Sequence, residues 1–349
     1  MWIIMLAAAA AALLAWLALR FGPAPMGLPS GQGINVLEKV EIGGRLQWIS
    51  IQGKNADDPV LLFLHGGPGS ANLAKLRMQC PALLDRFIVV NWDQRGAGKN
   101  GSFSRDAGLT IDRLREDTHE LILHLRARFG GKKIYLMGFS WGTALGLMTA
   151  RDHPEDLEVF ISVGQLVNAR RQEELSLGFA RKAAQEAGNA AAIGELSGID
   201  PAYDSPGWFA ALTRERKWLL AFGGVYHTSR SYAHEMRMLL TAPEYSFIDV
   251  LRWLAASRAS LAVMWPEVMG LDLSRTVPEV GVPVYFLVGR HDYNTPSELT
   301  AAYFGALRAP RGKRLIWFED SAHDIFFDQP DALVKALTDI RTEVESGGR

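Results

Sequence analysis

Short apolar runs and helical periods alternate along this chain, give way to a block of helices, and then resume. Val60–Leu64 (VLLFL) and Phe87–Trp92 (FIVVNW) are continuous apolar runs of strand length, as expected where both faces of a strand are buried. Thr110–Phe129 carries Ile111, Leu114, Leu121, Ile122 and Leu125 near one helical face, and Gly130-Gly131 ends it. Lys133–Met137 reads as a strand, Thr143–Arg151 as a helix and Leu157–Val163 as the next strand. This alternation predicts an α/β fold, a mostly parallel sheet covered by helices on both sides. Upstream, Val36–Ile42 and Leu46–Ile51 flank Gly43-Gly44 and predict an antiparallel hairpin. From Val167 to Thr276 only helical patterns occur: Gln172–Ala187, Trp208–Phe222, Ser231–Leu240 and Phe247–Met264. Alternation returns with Val284–Val288, Leu299–Leu307, Arg314–Phe318 and Ala332–Val344. A helical block between strands of one sheet reads as a cap. The expected organisation is a core of residues 35–166 and 277–349 with a helical cap over 167–276.

Composition narrows the function. The 349 residues are 48% hydrophobic and 21% charged, enough for one large domain with an insertion. A formal net charge of -1 leaves no basic footprint for nucleic acid. One cysteine, Cys80, excludes an intramolecular disulfide and reads as a small buried hydrophobe. Met1–Leu19 has no charged side chain, and a helix of that length rises roughly 28 Å, close to the hydrocarbon thickness of a bilayer. Residues 1–20 are therefore expected to anchor the protein in a membrane, with a cleaved signal segment or an alanine-rich helix packed on the domain as alternatives. Residues 21–34, rich in Gly and Pro, read as a linker.

Three stretches carry chemistry. Gly138-Phe139-Ser140-Trp141-Gly142 lies between a strand and a helix, where a serine is forced into a tight turn with its hydroxyl exposed above the sheet. The competing reading is a serine that merely caps the helix. His65-Gly66-Gly67-Pro68-Gly69 follows a strand, and acyl transfer needs two N–H donors aimed at an oxyanion. Trp141, just after the serine, and Gly67 are the expected donors, while His65 is expected to hold the loop. Gly289-Arg290-His291-Asp292 and Ser321-Ala322-His323-Asp324 each follow a late strand. The order Ser140, Asp292, His323 is that of an α/β-hydrolase triad, with His323 as base and Asp292 orienting it. Asp324 as the acid and His291 as the base are weaker alternatives. His119, His124 and His153 read as solvated. No metal-ligand spacing, phosphate-binding glycine loop or dinucleotide fingerprint is present, so neither metal nor cofactor is expected.

With those residues in hand the chain resembles the prolyl aminopeptidase (proline iminopeptidase) branch of the α/β-hydrolases. The likeness rests on His65–Gly69, on Trp92-Asp93-Gln94-Arg95-Gly96-Ala97-Gly98, on Gly138–Gly142 and on the Asp292 and His323 loops, and it spans about Val36 to Val344. It implies a hydrolase acting on a small-molecule or short-peptide substrate. Two departures stand out. Where the branch usually reads Asp-Gln-Arg-Gly-x-Gly-x-Ser, the last two residues here are Lys99-Asn100, and Phe139 puts a large ring beside the serine. Relatives bind the substrate's free amino group with cap carboxylates; Glu173, Glu174, Glu215 and Glu235 are candidates here, each also readable as a solvated helix residue. The aromatic cap suits a compact apolar acyl group as well as a proline ring. An amidase or aminopeptidase is the leading expectation, an esterase or lactonase the alternative, and a non-catalytic binding protein the third.

Overall fold

The computed structural model describes residues 2–21, 33–103, 106 and 108–347; within the first segment the described side chains are Trp2, Met5–Leu13 and Trp16. Eight strands form one sheet in the order β1-β2-β4-β3-β5-β6-β7-β8. These are β1 (Ile34–Ile42), β2 (Arg45–Gly53), β3 (Val60–Leu64), β4 (Ile88–Trp92), β5 (Ile134–Phe139), β6 (Leu157–Val163), β7 (Val284–Gly289) and β8 (Lys313–Phe318). β2 runs antiparallel to β1 and β4, and every pairing from β4 through β8 is parallel. The all-buried strands β3, β4 and β7 are the continuous apolar runs of the sequence.

Thirteen α-helices accompany them among the described residues: α1 (Trp2–Phe21), α2 (Lys75–Gln79), α3 (Ile111–Arg128), α4 (Trp141–Asp152), α5 (Ala169–Glu186), α6 (Ala190–Ser197), α7 (Trp208–Ala221), α8 (Ala233–Thr241), α9 (Phe247–Met269), α10 (Leu273–Thr276), α11 (Ser297–Ala306), α12 (Ile325–Asp328) and α13 (Pro330–Gly347). Two hydrophobic clusters cover the two faces of the sheet. One gathers α3, α4 and the inner faces of the insertion helices around Leu62, Val90 and Leu136; the other packs α12 and α13 against Phe63, Tyr135 and Ile161. Alternate residues of one strand thus enter opposite cores, as the pleat requires.

Between β6 and β7 the chain is helical, and its two ends meet. Leu273 N–H donates to Val167 O at 2.7 Å and Ala169 N–H to Leu271 O at 3.1 Å, closing a neck at the base. The sequence pattern omits the short helix α6 and stops α9 at Met264. In the structure α9 continues through Pro266, because Trp265, Val268 and Met269 remain buried beyond it.

The N-terminal expectation needs correction. Among the described residues no helix is long and apolar enough to cross a membrane. The Trp16 ring of α1 meets Phe247 of α9 edge-on at 5.4 Å, so the helix leans on the insertion. The membrane anchor, and the membrane localisation inferred from it, do not stand. Residues 22–32 of the expected linker lie outside the described residues.

Candidate active site

Ligands of parallel sheets gather at the carboxyl ends of strands, and the predicted residues stand there: Gly67 after β3, Ser140 after β5, Asp292 after β7 and His323 after β8. Ser140 has φ 52 and ψ -120, a left-handed conformation that costs a non-glycine residue about 1–3 kcal/mol. It occupies the N-cap position of α4, yet its side chain accepts no hydrogen bond from the first turn. The helix-capping reading is therefore excluded. The flanking glycines are steric requirements. A Cβ on Gly142 would stand 2.1 Å from Leu64 O, and one on Gly138 2.4 Å from Gly142 O.

His323 Nδ1 lies 2.9 Å from Asp292 Oδ2, with both residues buried. Asp292 is itself held in place: Asn294 N–H and Thr295 N–H donate to Oδ1 at 2.9 and 2.8 Å, and the Thr295 hydroxyl donates to Oδ2 at 2.8 Å. Ser140 and His323 line the same cavity, although no hydrogen bond joins them in this structure. Such bonds are often long in unliganded hydrolases. The alternatives are placed elsewhere. Asp324 turns to Lys75, Nζ to Oδ2 2.6 Å, in an almost completely buried ion pair. His291 stacks on His227 at 4.2 Å.

His65 is fully buried, and burial pulls its pKa down to about 4. Its Nδ1 pairs with Gly66 O at 2.7 Å and its Nε2 accepts Gln94 N–H at 3.0 Å. Gln94 in turn donates to His65 O and accepts from Trp141 Nε1–H, both at 3.1 Å. A neutral histidine thus fixes the glycine loop against the residue that follows Ser140. Trp141 opens α4, so its backbone N–H has no partner within the helix. Gly67, at φ 120, lines the cavity, and a Cβ there would meet Gly69 N at 2.4 Å.

The stretch from Asp93 to Asn100 is structural. Arg95 forms a two-pronged pair with buried Asp117 at 2.7 and 3.0 Å. Tyr245 O–H donates to Asp93 at 2.8 Å, and burial pushes the Asp93 carboxyl up to about 7. The Lys99-Asn100 departure has local reasons. Lys99 Nζ pairs with Asp249 of the α9 capping box at 2.6 Å, and Asn100 Oδ1 accepts Trp48 N–H at 2.8 Å.

The cavity measures about 440 Å³ and lies between the strand ends and the insertion. Leu166, Leu212, Leu239, Leu261 and Trp265 make much of its wall apolar. Charge is confined to two places. At one, Arg216 grips Glu173 through two contacts of 2.7 Å and also pairs with buried Glu215. At the other, Glu235 neighbours the Lys75–Asp324 pair; burial raises its carboxyl above the ordinary range. Glu174 is exposed and pairs with Arg171 at 2.7 Å. Sequence reading missed Lys75, Arg216 and Thr295. Only Thr295 left a trace, a hydroxyl three residues after an aspartate. His119, His124 and His153, read as solvated, are half-buried; His119 and His153 stack at 3.5 Å, with His119 Nε2 2.8 Å from Asp156. Among the described residues two groups have ligand atoms within 4.8 Å of one another: His119, His153 and Asp156, and His234, Glu235 and Asp324.

A main-chain strap joins the insertion to this centre. Gly224 O accepts Tyr293 N–H at 3.0 Å, and Val225 O accepts His323 N–H at 2.9 Å. Asp328 completes the tie by accepting from the backbone of His227, Thr228 and Ala322 at 2.8–3.0 Å.

Comparison with known proteins gives a consistent picture. The sequence model of the alpha/beta hydrolase fold matches residues 59–330. A probable aminopeptidase of Bacillus subtilis (strain 168) is 30% identical over 317 residues, 89% of this chain and 98% of that protein. A proline iminopeptidase of Heyndrickxia coagulans is 23% identical over 86% of this chain and 96% of its own length. The crystal structure of a proline iminopeptidase-related protein from Thermus thermophilus superposes with a TM-score of 0.65 at 24% identity, covering 89% of this chain and 98% of that one.

Proposed function

Because this chain belongs to the α/β-hydrolase fold family, we propose that it is a serine hydrolase in which Ser140, His323 and Asp292 cleave a small amide or peptide bond through an acyl-enzyme. The observation that carries this reading is the conformation of Ser140, a strained residue whose hydroxyl caps nothing and faces the cavity that also holds the His323–Asp292 pair. His323 Nε2 takes the Ser140 proton as Oγ attacks the carbonyl carbon. The N–H groups of Gly67 and Trp141 hold the oxyanion. His323 then passes the proton to the leaving nitrogen, and the C–N bond breaks. Water, deprotonated by the same imidazole, frees the acid and returns the proton to Ser140. Asp292 keeps Nδ1 protonated and supports the imidazolium. Residues 167–276 act as the cap, closing the cavity from above.

The names of the relatives favour an aminopeptidase, and an aminopeptidase needs a carboxylate for the substrate ammonium. Of the four candidates, Glu173 and Glu215 already share Arg216, and Glu174 is exposed. Glu235 is the carboxyl in the cavity wall without a salt bridge to a cation of its own, so it takes this role. The second reading, an esterase for small apolar acyl groups, draws on the apolar wall and on the pairing of Glu173 with Arg216 and of Asp324 with Lys75. Comparing a proline anilide, its N-acylated form and a short-chain aryl ester separates the two. Preference for the free amine supports the first reading; indifference to the amine with fast ester cleavage supports the second.

A further inference from the structure

Next to the cavity wall, on α8, stands an imidazole whose ring nitrogens are both buried. His234 is the second residue of α8. Its ring stacks on Phe327 at 3.6 Å and meets Tyr226 edge-on at 4.7 Å. The backbone of Ser231 is within reach of one ring nitrogen, and the other is buried without a partner. Buried polar atoms without partners are rare in native proteins, and each calls for a ligand or a reason.

Two carboxyl groups stand next to it. One nitrogen of His234, one oxygen of Glu235 and one oxygen of Asp324 all lie within 4.8 Å of one another. Glu235 and Asp324 line the cavity that holds Ser140 and His323. Lys75 is the cation paired with this group, and its Nζ also lies 5.1 Å from the ring centroids of Phe139 and Phe326. It therefore keeps favourable contacts with two aromatic faces when Asp324 takes another partner.

We infer that His234, Glu235 and Asp324 form a divalent-cation site at the edge of the cavity, with Zn²⁺ as the ion that fits the donors. One imidazole and two carboxylates exclude the all-oxygen preference of Ca²⁺ and Mg²⁺ and match the nitrogen and oxygen ligands of zinc. Tetrahedral coordination at about 2.0–2.2 Å per ligand needs donors roughly 3.3 Å apart. The three ligand atoms, within 4.8 Å of one another, have to close by about 1.5 Å or less to reach that spacing. Glu235 and Asp324 line the cavity, so a fourth ligand would be water or substrate from that side. Because Asp324 directly follows His323 and Glu235 is in the cavity wall, zinc here obstructs the substrate and acts as an inhibitor. Binding there leaves the covalent chemistry untouched.

The test uses the full chain after chelator treatment. Calorimetry with zinc chloride reads binding directly, whether or not the proposed hydrolase activity holds. Steady-state hydrolysis of the aryl ester in the same titration reads inhibition. One zinc per chain with a rise in KM is the expected result. His234→Ala and His234→Gln should each weaken zinc binding by about 100-fold, while kcat and KM without zinc stay unchanged. Absence of binding, or equal binding in both variants, overturns the site. Inhibition that persists in both variants overturns the assignment to His234. A raised KM for the free amine in metal-free His234→Gln overturns it too, because the imidazole would then belong to the substrate's amine contact.

Discussion

The Thr295 hydroxyl lies between the two halves of the His323–Asp292 pair, 2.8 Å from Asp292 Oδ2 and 3.1 Å from His323 Nδ1. Together with two backbone N–H groups it holds the carboxylate in one orientation against the imidazole.

That arrangement sets the first expectation. Asp292→Asn should lower kcat by about 10⁴ by favouring the wrong tautomer, and Ser140→Ala should leave less than about 1% of turnover. Circular dichroism of both variants should match the parent. Activity of Ser140→Ala near the parent value would remove Ser140 from the mechanism.

Lys75 and Asp324 test the energetics of the cavity wall. Lys75→Met strands a carboxylate that is 2% exposed and should cost about 3–5 kcal/mol in urea unfolding. The double variant Lys75→Met/Asp324→Asn should recover most of the loss. A single variant as stable as the parent would show that Asp324 accepts another partner or a proton at little cost.

Substrate discrimination should follow Glu235. Glu235→Gln is expected to reduce kcat/KM for the free proline anilide roughly 100-fold, about 3 kcal/mol, and to leave the aryl ester nearly unaffected. Glu173→Gln should instead destabilise the fold, because Arg216 loses its two-pronged partner. An equal loss on both substrates in Glu235→Gln would assign that residue to structure.

Asp93 should be legible in the pH dependence of stability. Its folded pKa is raised by burial from 3.8 to about 7. Its contribution is fully present below about 3.8, where folded and unfolded chains both hold the proton. It is lost as pH rises toward 7, because the unfolded chain releases the proton first. Asp93→Asn should therefore gain stability relative to the parent steadily between these limits and no further above them. Thermal melts of both proteins across that range measure the difference; a constant offset would mean the carboxyl titrates alike in both states.

Much of this centre was visible in the sequence because its parts are local. Gly138–Gly142 states a steric problem within five residues, and the strand before it, the helix after it and the strained serine solve it together. The loops that bring Asp292 and His323 announced themselves by following late strands. What stayed hidden is long-range. Lys75 meets Asp324 across 249 positions, and Arg216 meets Glu173 across 43, so no window on the chain could pair them. Glu173 and Glu215 look like surface helix residues until the burial of their helices against each other is known. The N-terminal run misled for the opposite reason: an uncharged composition invites a membrane, whereas the structure gives Trp16 a partner in Phe247.

The strap from Gly224 to Thr228 bears on how such a protein can change. It reaches the Asp292 and His323 loops mainly through peptide carbonyls and amides, and peptide groups are the part of a chain that substitution leaves alone. Residues such as Tyr232, Met236 or Leu261 can be exchanged to reshape the cavity without disturbing those bonds. An insertion or deletion between Ala221 and Ser231 would instead shift the carbonyl ladder and misalign the reaction centre from a distance. New specificities on this scaffold are therefore reached by replacing side chains; grafting a foreign cap would also have to reproduce the strap's length.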